Sequence, residues 1–351
     1  MNLLLLPLSW LYGLAMLGRN KAFDTGLLRS ESVGAPVISV GNVTMGGTGK
    51  TPLVEYITRF CIVKGRKVAV VSRGYKRESS GVLVVSDGKC LLAGSKEGGD
   101  EPVQIARKFP AAIVVVGERK VEAARAAVDQ LKADTVILDD GFQHRYLRRD
   151  LDCVVIDSRK DLFRVPMIPA GERREPLHAL NRAHLLAFSR TDQDHSRNSW
   201  VHRLSNEFRS PSIQYRYQLE KIIRMGAEGE LSARDLKGTK VFLFSGIGDH
   251  GGFVSQMQWN GVNVVGDLGF PDHHQYTTSD ISDITGRAMK SGADAFLTTE
   301  KDAVRLSDER ALVSELMREM SLFYACIVVD ITAGQRILDS MIDKCLAGGV
   351  C

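Results

Sequence analysis

Residues 39–57 read SVGNVTMGGTGKTPLVEYI and join a β-rich run to an amphipathic helical pattern. Gly46, Gly47 and Gly49 let successive backbone N–H groups turn inward around phosphate oxygens. The helix that follows brings a partial positive charge to the same point. Lys50 can reach the β- and γ-phosphates of a nucleoside triphosphate, and Thr51 can ligate Mg²⁺. In the general phosphate-loop pattern G-x-x-x-x-G-K-[ST] a glycine stands first, whereas this chain has Thr44 there. Thr44, Met45, Gly46, Gly47, Thr48, Gly49, Lys50 and Thr51 are the candidate triphosphate cradle. An ordinary glycine turn before a helix is the plainer alternative.

Other residue groupings add to this chemistry. TVILDDGFQH (135–144) ends an apolar strand in Asp139 and Asp140, as a Walker B strand does when its acid holds Mg²⁺; Asp-Asp-Gly is also good turn chemistry. Gln143 and His144 can serve nucleotide, metal or substrate, or simply pack. In GDEP (99–102) Asp100 can cap a helix or accept a hydroxyl proton. FPDHHQY (270–276) concentrates His273 and His274, either of which can orient a carboxylate. The remaining ligands of a metal phosphoesterase are not apparent. PAGERREP (169–176) sets Arg173 and Arg174 between Glu172 and Glu175, suited to a phosphate or to a solvated charge run. SRGY (72–75) puts Arg73 and Tyr75 at a strand end. TTEKDAVRL (298–306) likewise ends a strand with charge and takes no definite role; its plainer reading is Thr299 capping a helix whose Glu300, Lys301 and Asp302 face water.

The elements that must position these residues form two series. PVISV (36–40), VAVVS (68–72), AIVVV (112–116), TVILDD (135–140), DCVVID (152–157) and LLAFS (185–189) alternate with helical stretches. That is the signature of a parallel sheet with crossover connections. Residues 212–235 read as a two-stranded ribbon. A second series follows: VFLFSGIGD (241–249), VNVVGDLGF (262–270), a helix over 278–291, ADAFLTT (293–299), CIVVDIT (326–332) and a closing helix. The expected architecture is an α/β fold with a parallel-sheet lobe and a smaller α/β lobe joined by a β-ribbon. Its boundaries are a helix in 1–30, a nucleotide-binding domain in 31–210, the ribbon in 211–236 and a C-terminal lobe in 237–351.

Composition agrees with a globular enzyme. The 351 residues are 44% apolar and 25% charged, enough for a substantial core and too ordered for a disordered chain. A net charge of +4 is too mild to argue for nucleic acid. The six cysteines (Cys61, Cys90, Cys153, Cys326, Cys345 and Cys351) form no metal-ligand or disulfide pattern and read as structural thiols of a reducing compartment. Leu3 to Gly18, LLLLPLSWLYGLAMLG, carries no charge yet is short for a membrane span. With Trp10 and Tyr12 inside it and Arg19 and Lys21 just beyond, it fits a helix dipping into one leaflet. A helix packed on the protein's own core is the alternative.

Together these segments resemble the tetraacyldisaccharide 4'-kinase family of lipid A biosynthesis. LPLSWLYG, VGNVTMGGTGKTP, VVSRGY, GDEP, DDGFQH, PAGERREP, FPDHH and TTEKDAV stand in the family's order from the N-terminus to about residue 304. The resemblance implies a P-loop kinase fold and a place on the cytoplasmic face of the inner membrane. It also implies transfer of the ATP γ-phosphate, with Mg²⁺, to the 4'-hydroxyl of a lipid disaccharide 1-phosphate. It makes Asp100 the general base with His273, or less simply His274, as its partner. Thr51, Asp139, Asp140 and Glu175 fall with the metal, and Arg73, Tyr75, Gln143, His144 and Arg174 with the acceptor. Thr44 departs from the general loop pattern but not from this family's. Relatives carry an apolar residue where Arg173 stands, which leaves Arg173 and Arg174 both in play. The partners implied are the lipid A precursor and the membrane surface, with neither nucleic acid nor an obligatory protein. A switch-type P-loop nucleoside triphosphatase and a scaffold with a vestigial nucleotide fold are the competing classes.

Overall fold

The computed structural model describes residues 3–191, 199–226 and 229–349. In chain order its strands are β1 (Val37–Asn42), β2 (Val68–Ser72), β3 (Leu83–Asp87), β4 (Ile113–Val116), β5 (Thr135–Asp139), β6 (Leu151–Asp157) and β7 (Leu185–Ser189). Then come β8 (Ser212–Arg224), β9 (Glu230–Leu231), β10 (Lys240–Ser245), β11 (Asn263–Gly269), β12 (Ala295–Thr299) and β13 (Ser321–Ala333). The helices are α1 (Leu6–Asp24), α2 (Lys50–Val63), α3 (Ser95–Gly98), α4 (Asp100–Lys108), α5 (Lys120–Arg125) and α6 (Ser199–Phe208). They continue with α7 (His250–Trp259), α8 (Thr278–Ser291), α9 (Glu300–Ser307), α10 (Arg310–Glu319) and α11 (Gln335–Leu346).

All of the described strands belong to one sheet, ordered β11-β10-β12-β13-β8-β7-β6-β1-β5-β2-β4-β3, with β9 beside β8. Its pairings are parallel except β3 with β4, β8 with β13 and β8 with β9. The β-branched runs VISV, VAVVS and IVVV explain why: strands covered by helices on both faces are buried throughout, and stiff branched side chains pack such surfaces well. Parallel β1, β2, β5, β6 and β7 all deliver their carboxyl ends to one edge, where ligands of open α/β sheets gather.

Two expectations about organisation are corrected. The ribbon is not a local hairpin over 212–235. It is β8 paired antiparallel with β13, Tyr215 opposite Ile331 and Ile223 opposite Tyr324, with only Glu230–Leu231 folding back on β8. The closing helix also leaves its expected lobe. Leu338, Ile342, Cys345 and Leu346 of α11 share a core with Leu53, Ile57 and Ile213, so this helix covers the nucleotide-binding half of the sheet. Tyr56 of α2 and Lys64, just past its end, meet Asp339 and Asp343 across that contact, each at 2.9 Å. Among the cysteines, Cys61, Cys153, Cys326 and Cys345 are buried, Cys90 is exposed, and Cys351 lies outside the described residues.

Candidate functional site

Strand β1 is buried along its whole length and ejects the chain at the ligand edge as the loop 43–49. Gly46 and Gly49 take φ of +94° and +83°, which disfavours any side chain. At Gly49 space forbids one too, because a Cβ would sit 1.5 Å from the Tyr217 hydroxyl. The loop is held from outside. Arg190 donates to Gly47 O (2.9 Å), Ser189 Oγ to Thr48 O (2.8 Å) and Tyr215 to Gly49 O (3.1 Å), while Asn42 Nδ2 donates to Thr48 Oγ1 (2.9 Å). With the Thr48 and Gly49 carbonyls drawn outward, the planar peptide turns the N–H groups of Gly49 and Lys50 the opposite way, into the concavity. Lys50 opens α2 and Thr51 follows it in the first turn.

Asp139 ends β5, and Asp140 follows at φ +51°. Buried Lys120, the first residue of α5, donates to the carbonyls of both at 2.6 and 2.7 Å and holds the turn. The two carboxylates have opposite environments. Burial raises Asp140, but Lys50 at 3.4 Å and Arg174 at 3.0 Å more than offset it and hold the carboxyl below the usual range. Asp139 is buried with no such partner: Ser72 Oγ is 3.5 Å from Oδ2, Oδ1 has no hydrogen-bond partner, and burial pushes the carboxyl up to about 6. The Asp139 oxygen left unpartnered in the interior is a hard donor of the kind a divalent cation takes, and Asp140 follows it in the chain.

Asp100 does not cap its helix. It is the first residue of α4, after Gly99 at φ +89°. A Cβ on Gly99 would come 3.2 Å from Gly74 Cα, so the 73–75 and 99–100 turns sit backbone to backbone. The Asp100 carboxylate is buried, and its Oδ2 accepts from Arg305 Nε at 2.6 Å and lies 3.1 Å from His273 Nδ1. Burial raises this carboxyl, but His273 and Arg305 bring it below the ordinary range. The Tyr75 ring packs 5.1 Å from that of His273. Of the two histidines only His273 meets Asp100. His274 bonds Asp280 at 3.0 Å and stacks on Phe270.

The TTEKD segment is where the sequence reading fails. Thr299 does cap α9, accepting from Asp302 N at 3.1 Å, but the charges do not face water. Asp302 is fully buried and accepts from Gly246 N, Tyr276 Oη and Arg305 Nη1. Glu300 pairs with Lys108 at 3.2 Å and Lys301 with Glu101 at 2.7 Å. Arg305, Glu101 and Lys120, which the sequence reading does not single out, thus contact candidate site residues or their neighbours, as does Lys301, which it turns to water. The available signals were the spacing of Lys301 and Arg305, one helical turn apart, and the position of Lys120 just past a parallel strand end.

The other expected residues divide. Arg174 grips Asp140 and also bonds Thr44 O (3.2 Å) and Asn42 Oδ1. Arg173 instead joins the loop by its backbone, bridging Thr44 and Met167, and its Nε has no partner. Gln143 Nε2 donates to Asn42 O at 2.8 Å. His144 packs beside the Tyr146 ring, and burial, reinforced by Lys120, Arg149 and Arg19, pushes its imidazole down to about 4. Tyr75 and Arg73 are exposed at the β2 end. Glu175 is the correction. It is fully buried with its two oxygens taken by Asn20 (2.9 Å) and Arg182 (3.2 Å), which ties it to α1 rather than to the Asp139–Asp140 pair.

A family model described as tetraacyldisaccharide-1-P 4'-kinase matches residues 1–347. The chain belongs to this family. It is similar to the tetraacyldisaccharide 4'-kinase of Chlorobaculum tepidum, 39% identical over 96% of this chain and 95% of that one. It is likewise 39% identical to that of an Anaeromyxobacter species, over 99% and 93% of the two chains. The crystal structure of LpxK from Aquifex aeolicus in complex with ATP superposes with a TM-score of 0.77 at 31% identity, covering 97% of this chain and 98% of that one.

In this tetraacyldisaccharide 4'-kinase relative the N-terminal helix packs against the segments that carry Gln143, Met167 and Arg174. Helix α1 buries Ser9, Gly13, Asn20 and Phe23, with Met167 Sδ beside Gly13 and the Tyr146 ring against Phe23. Ser9 Oγ donates to Met167 O (2.9 Å) and accepts from Ala170 N (3.0 Å); Tyr12 Oη donates to Arg174 O (2.9 Å), and Arg19 to Gln143 O (2.7 Å). Leu8, Trp10, Leu11, Leu14 and Leu17 point away, Trp10 being 72% exposed. No helix of the described residues is long and apolar enough to cross a membrane.

Proposed function

We propose that this chain transfers the γ-phosphate of ATP to the 4'-hydroxyl of a tetraacyldisaccharide 1-phosphate, the lipid A precursor, in a Mg²⁺-dependent reaction at a membrane surface facing the cytoplasm. The observation that carries this reading is the buried Asp100–His273 pair, whose Gly99–Gly74 backing joins it to the sheet edge that bears the phosphate loop. Family membership and the likeness to an ATP complex support the nucleotide.

On this reading the N–H groups of the 44–51 loop and Lys50 bind the triphosphate, and Lys50 and Arg174 balance charge on the transferring group. Thr51, Asp139 and Asp140 would hold Mg²⁺, which when bound neutralises charge on the β- and γ-oxygens. Asp100, with His273 donating to its Oδ2, accepts the hydroxyl proton as the sugar oxygen attacks in line. Arg73, Tyr75, Gln143 and His144 lie on the acceptor side. The exposed leucines and Trp10 of α1 enter the headgroup boundary, where the acyl chains stay.

The test is γ-labelled ATP with a tetraacyldisaccharide 1-phosphate in detergent micelles. Label on the lipid is the expected result, and label released only as inorganic phosphate overturns the reading in favour of a switch-type nucleotidase. Asp100→Asn should lower kcat by about 10²–10⁴-fold with ATP binding kept.

A further inference from the structure

Helix α9 reaches the Asp100–His273 pair with two side chains from one face. Arg305 meets Asp100, and Lys301 Nζ lies 3.2 Å from His273 Nε2. We propose that Lys301 is a positioning residue that fixes His273 as a neutral imidazole protonated on Nδ1, so that the histidine only donates and Asp100 alone receives the acceptor's proton. The proposal rests on the reading of Asp100 as the base.

The argument is one of donors and acceptors. An ammonium has three donors and no lone pair. Facing Nε2 it can only donate, so Nε2 must carry the lone pair and the single ring proton sits on Nδ1. That is the atom 3.1 Å from Asp100 Oδ2. Competing groups would otherwise decide differently, since Glu101 Oε1 and Asp272 Oδ2 stand 3.7 and 3.8 Å from the same Nε2 and favour a second ring proton. Lys301 lies among them, 2.7 Å from Glu101 and 3.6 Å from Asp272, and balances both. The remaining neighbours are the Tyr75 ring, which brings no charge, and Arg305, which acts on Asp100 from behind. An imidazolium would place a second cation beside the ammonium.

The consequence for the reaction is directional. Both side-chain hydrogen bonds to Asp100 fall on Oδ2 among the described residues, which leaves Oδ1 for the substrate. As the sugar oxygen forms its bond to the γ-phosphorus, the bond from that phosphorus to the bridging oxygen breaks. Its electron pair leaves with ADP, and the hydroxyl proton passes to Asp100. With Lys301 removed, Nε2 faces two carboxylates and no cation. His273 then gains a proton, and its full charge weakens Asp100 as a base.

The experiment compares Lys301→Met and Lys301→Arg in the full chain, with ATP and the micellar tetraacyldisaccharide 1-phosphate. Lys301→Met should lower kcat at neutral pH on the order of 10-fold, with the KM for ATP little changed. Its acidic limb should move to higher pH, so that raising the pH recovers much of the loss. Lys301→Arg, which still donates to Nε2, should keep the parental profile. Independently, the ¹⁵N shifts of His273 should report one lone-pair nitrogen, Nε2, in the parent at neutral pH and two protonated nitrogens in Lys301→Met. That pattern would not arise from a loss of stability alone. A parental His273 carrying its proton on Nε2, or a Lys301→Met enzyme with parental kcat and pH profile, overturns the proposal. If Asp100→Asn keeps full activity, the base reading itself fails; if Asp100→Asn is inactive and Lys301→Met is unaltered, only the role of Lys301 does.

Discussion

Arg174 holds Asp140 at two points, Nη2 3.0 Å from Oδ1 and Nη1 3.2 Å from Oδ2, and Lys50 approaches the same carboxylate at 3.4 Å. One acid thus pre-aligns both cations at the mouth of the phosphate loop. Arg174→Ala should therefore lower kcat by about 10²–10³-fold, the usual cost of losing one charge-stabilising donor. Arg174→Lys should not restore it, because an ammonium cannot reproduce the fork. Lys50→Ala should abolish turnover in a protein that remains folded. Steady-state kinetics with unfolding curves as control decide all three, and full activity of either alanine variant rejects the triphosphate assignment.

Lys120 makes a purely structural prediction. Its buried ammonium satisfies the carbonyls of Asp139 and Asp140. Lys120→Met fills the space but orphans both, and should cost about 2–4 kcal/mol of stability. Urea denaturation at fixed pH measures it; an unchanged midpoint would mean that the turn finds other donors.

A pH dependence follows from the contact among α2, α4 and α9. Lys108 Nζ lies 2.7 Å from Glu55 and 3.2 Å from Glu300, both carboxylates sharing one cation. Burial pushes Glu55 up to about 7, Lys108 opposing and Glu300 adding to the rise. Between its unfolded value of 4.5 and that folded value, the folded chain holds a proton that the unfolded chain has released. This stabilising contribution is full below the lower value and is lost as pH rises through the upper one. The unfolding midpoint should fall between about pH 5 and about pH 8, and Glu55→Gln should remove about 1–3 kcal/mol of that dependence. Equal slopes in parent and variant would assign the dependence elsewhere.

Helix α1 separates anchoring from chemistry. Replacing the outward Trp10, Leu11 and Leu14 by glutamate should release the protein from anionic vesicles in co-sedimentation, because about 1.5–3 kcal/mol of apolar transfer is forfeited per side chain. Turnover on micellar acceptor should survive. Substituting the inward Asn20 by alanine should do the reverse, since it frees Glu175 rather than the leucines. Unchanged sedimentation of the triple variant would return the outward face to some other role.

The parallel strands, the phosphate loop and the acidic strand end were legible because their signals are local. β-Branched runs, glycines at tight turns and a lysine opening a helix need no distant partner. Lys301 and Arg305 were not, because their purpose depends on Asp100, which lies some two hundred residues earlier on another helix, 205 positions from Arg305. The partner of β8 was hidden for the same reason: Tyr215 pairs with Ile331, not with the adjacent turn. Glu175 sits beside an arginine that does face the loop, yet the chain bends at 174–175 and sends the carboxylate to Asn20 and Arg182. In α1 the composition revealed an apolar helix. Only docking shows that Ser9, Gly13, Asn20 and Phe23 form the face that touches protein.

Strands β8 and β13 each cross from one apolar core to the other: Ile213 and Ile331 pack with the nucleotide half, Ile222 and Phe323 with the half that carries His273. The opposing jaws of the site are therefore woven into one cloth rather than pinned at a pivot. Two strands thus run unbroken between the half that bears the phosphate loop and the half that bears His273, and their mutual register shifts only at Cys326/Ile327 and Ile331/Ala333.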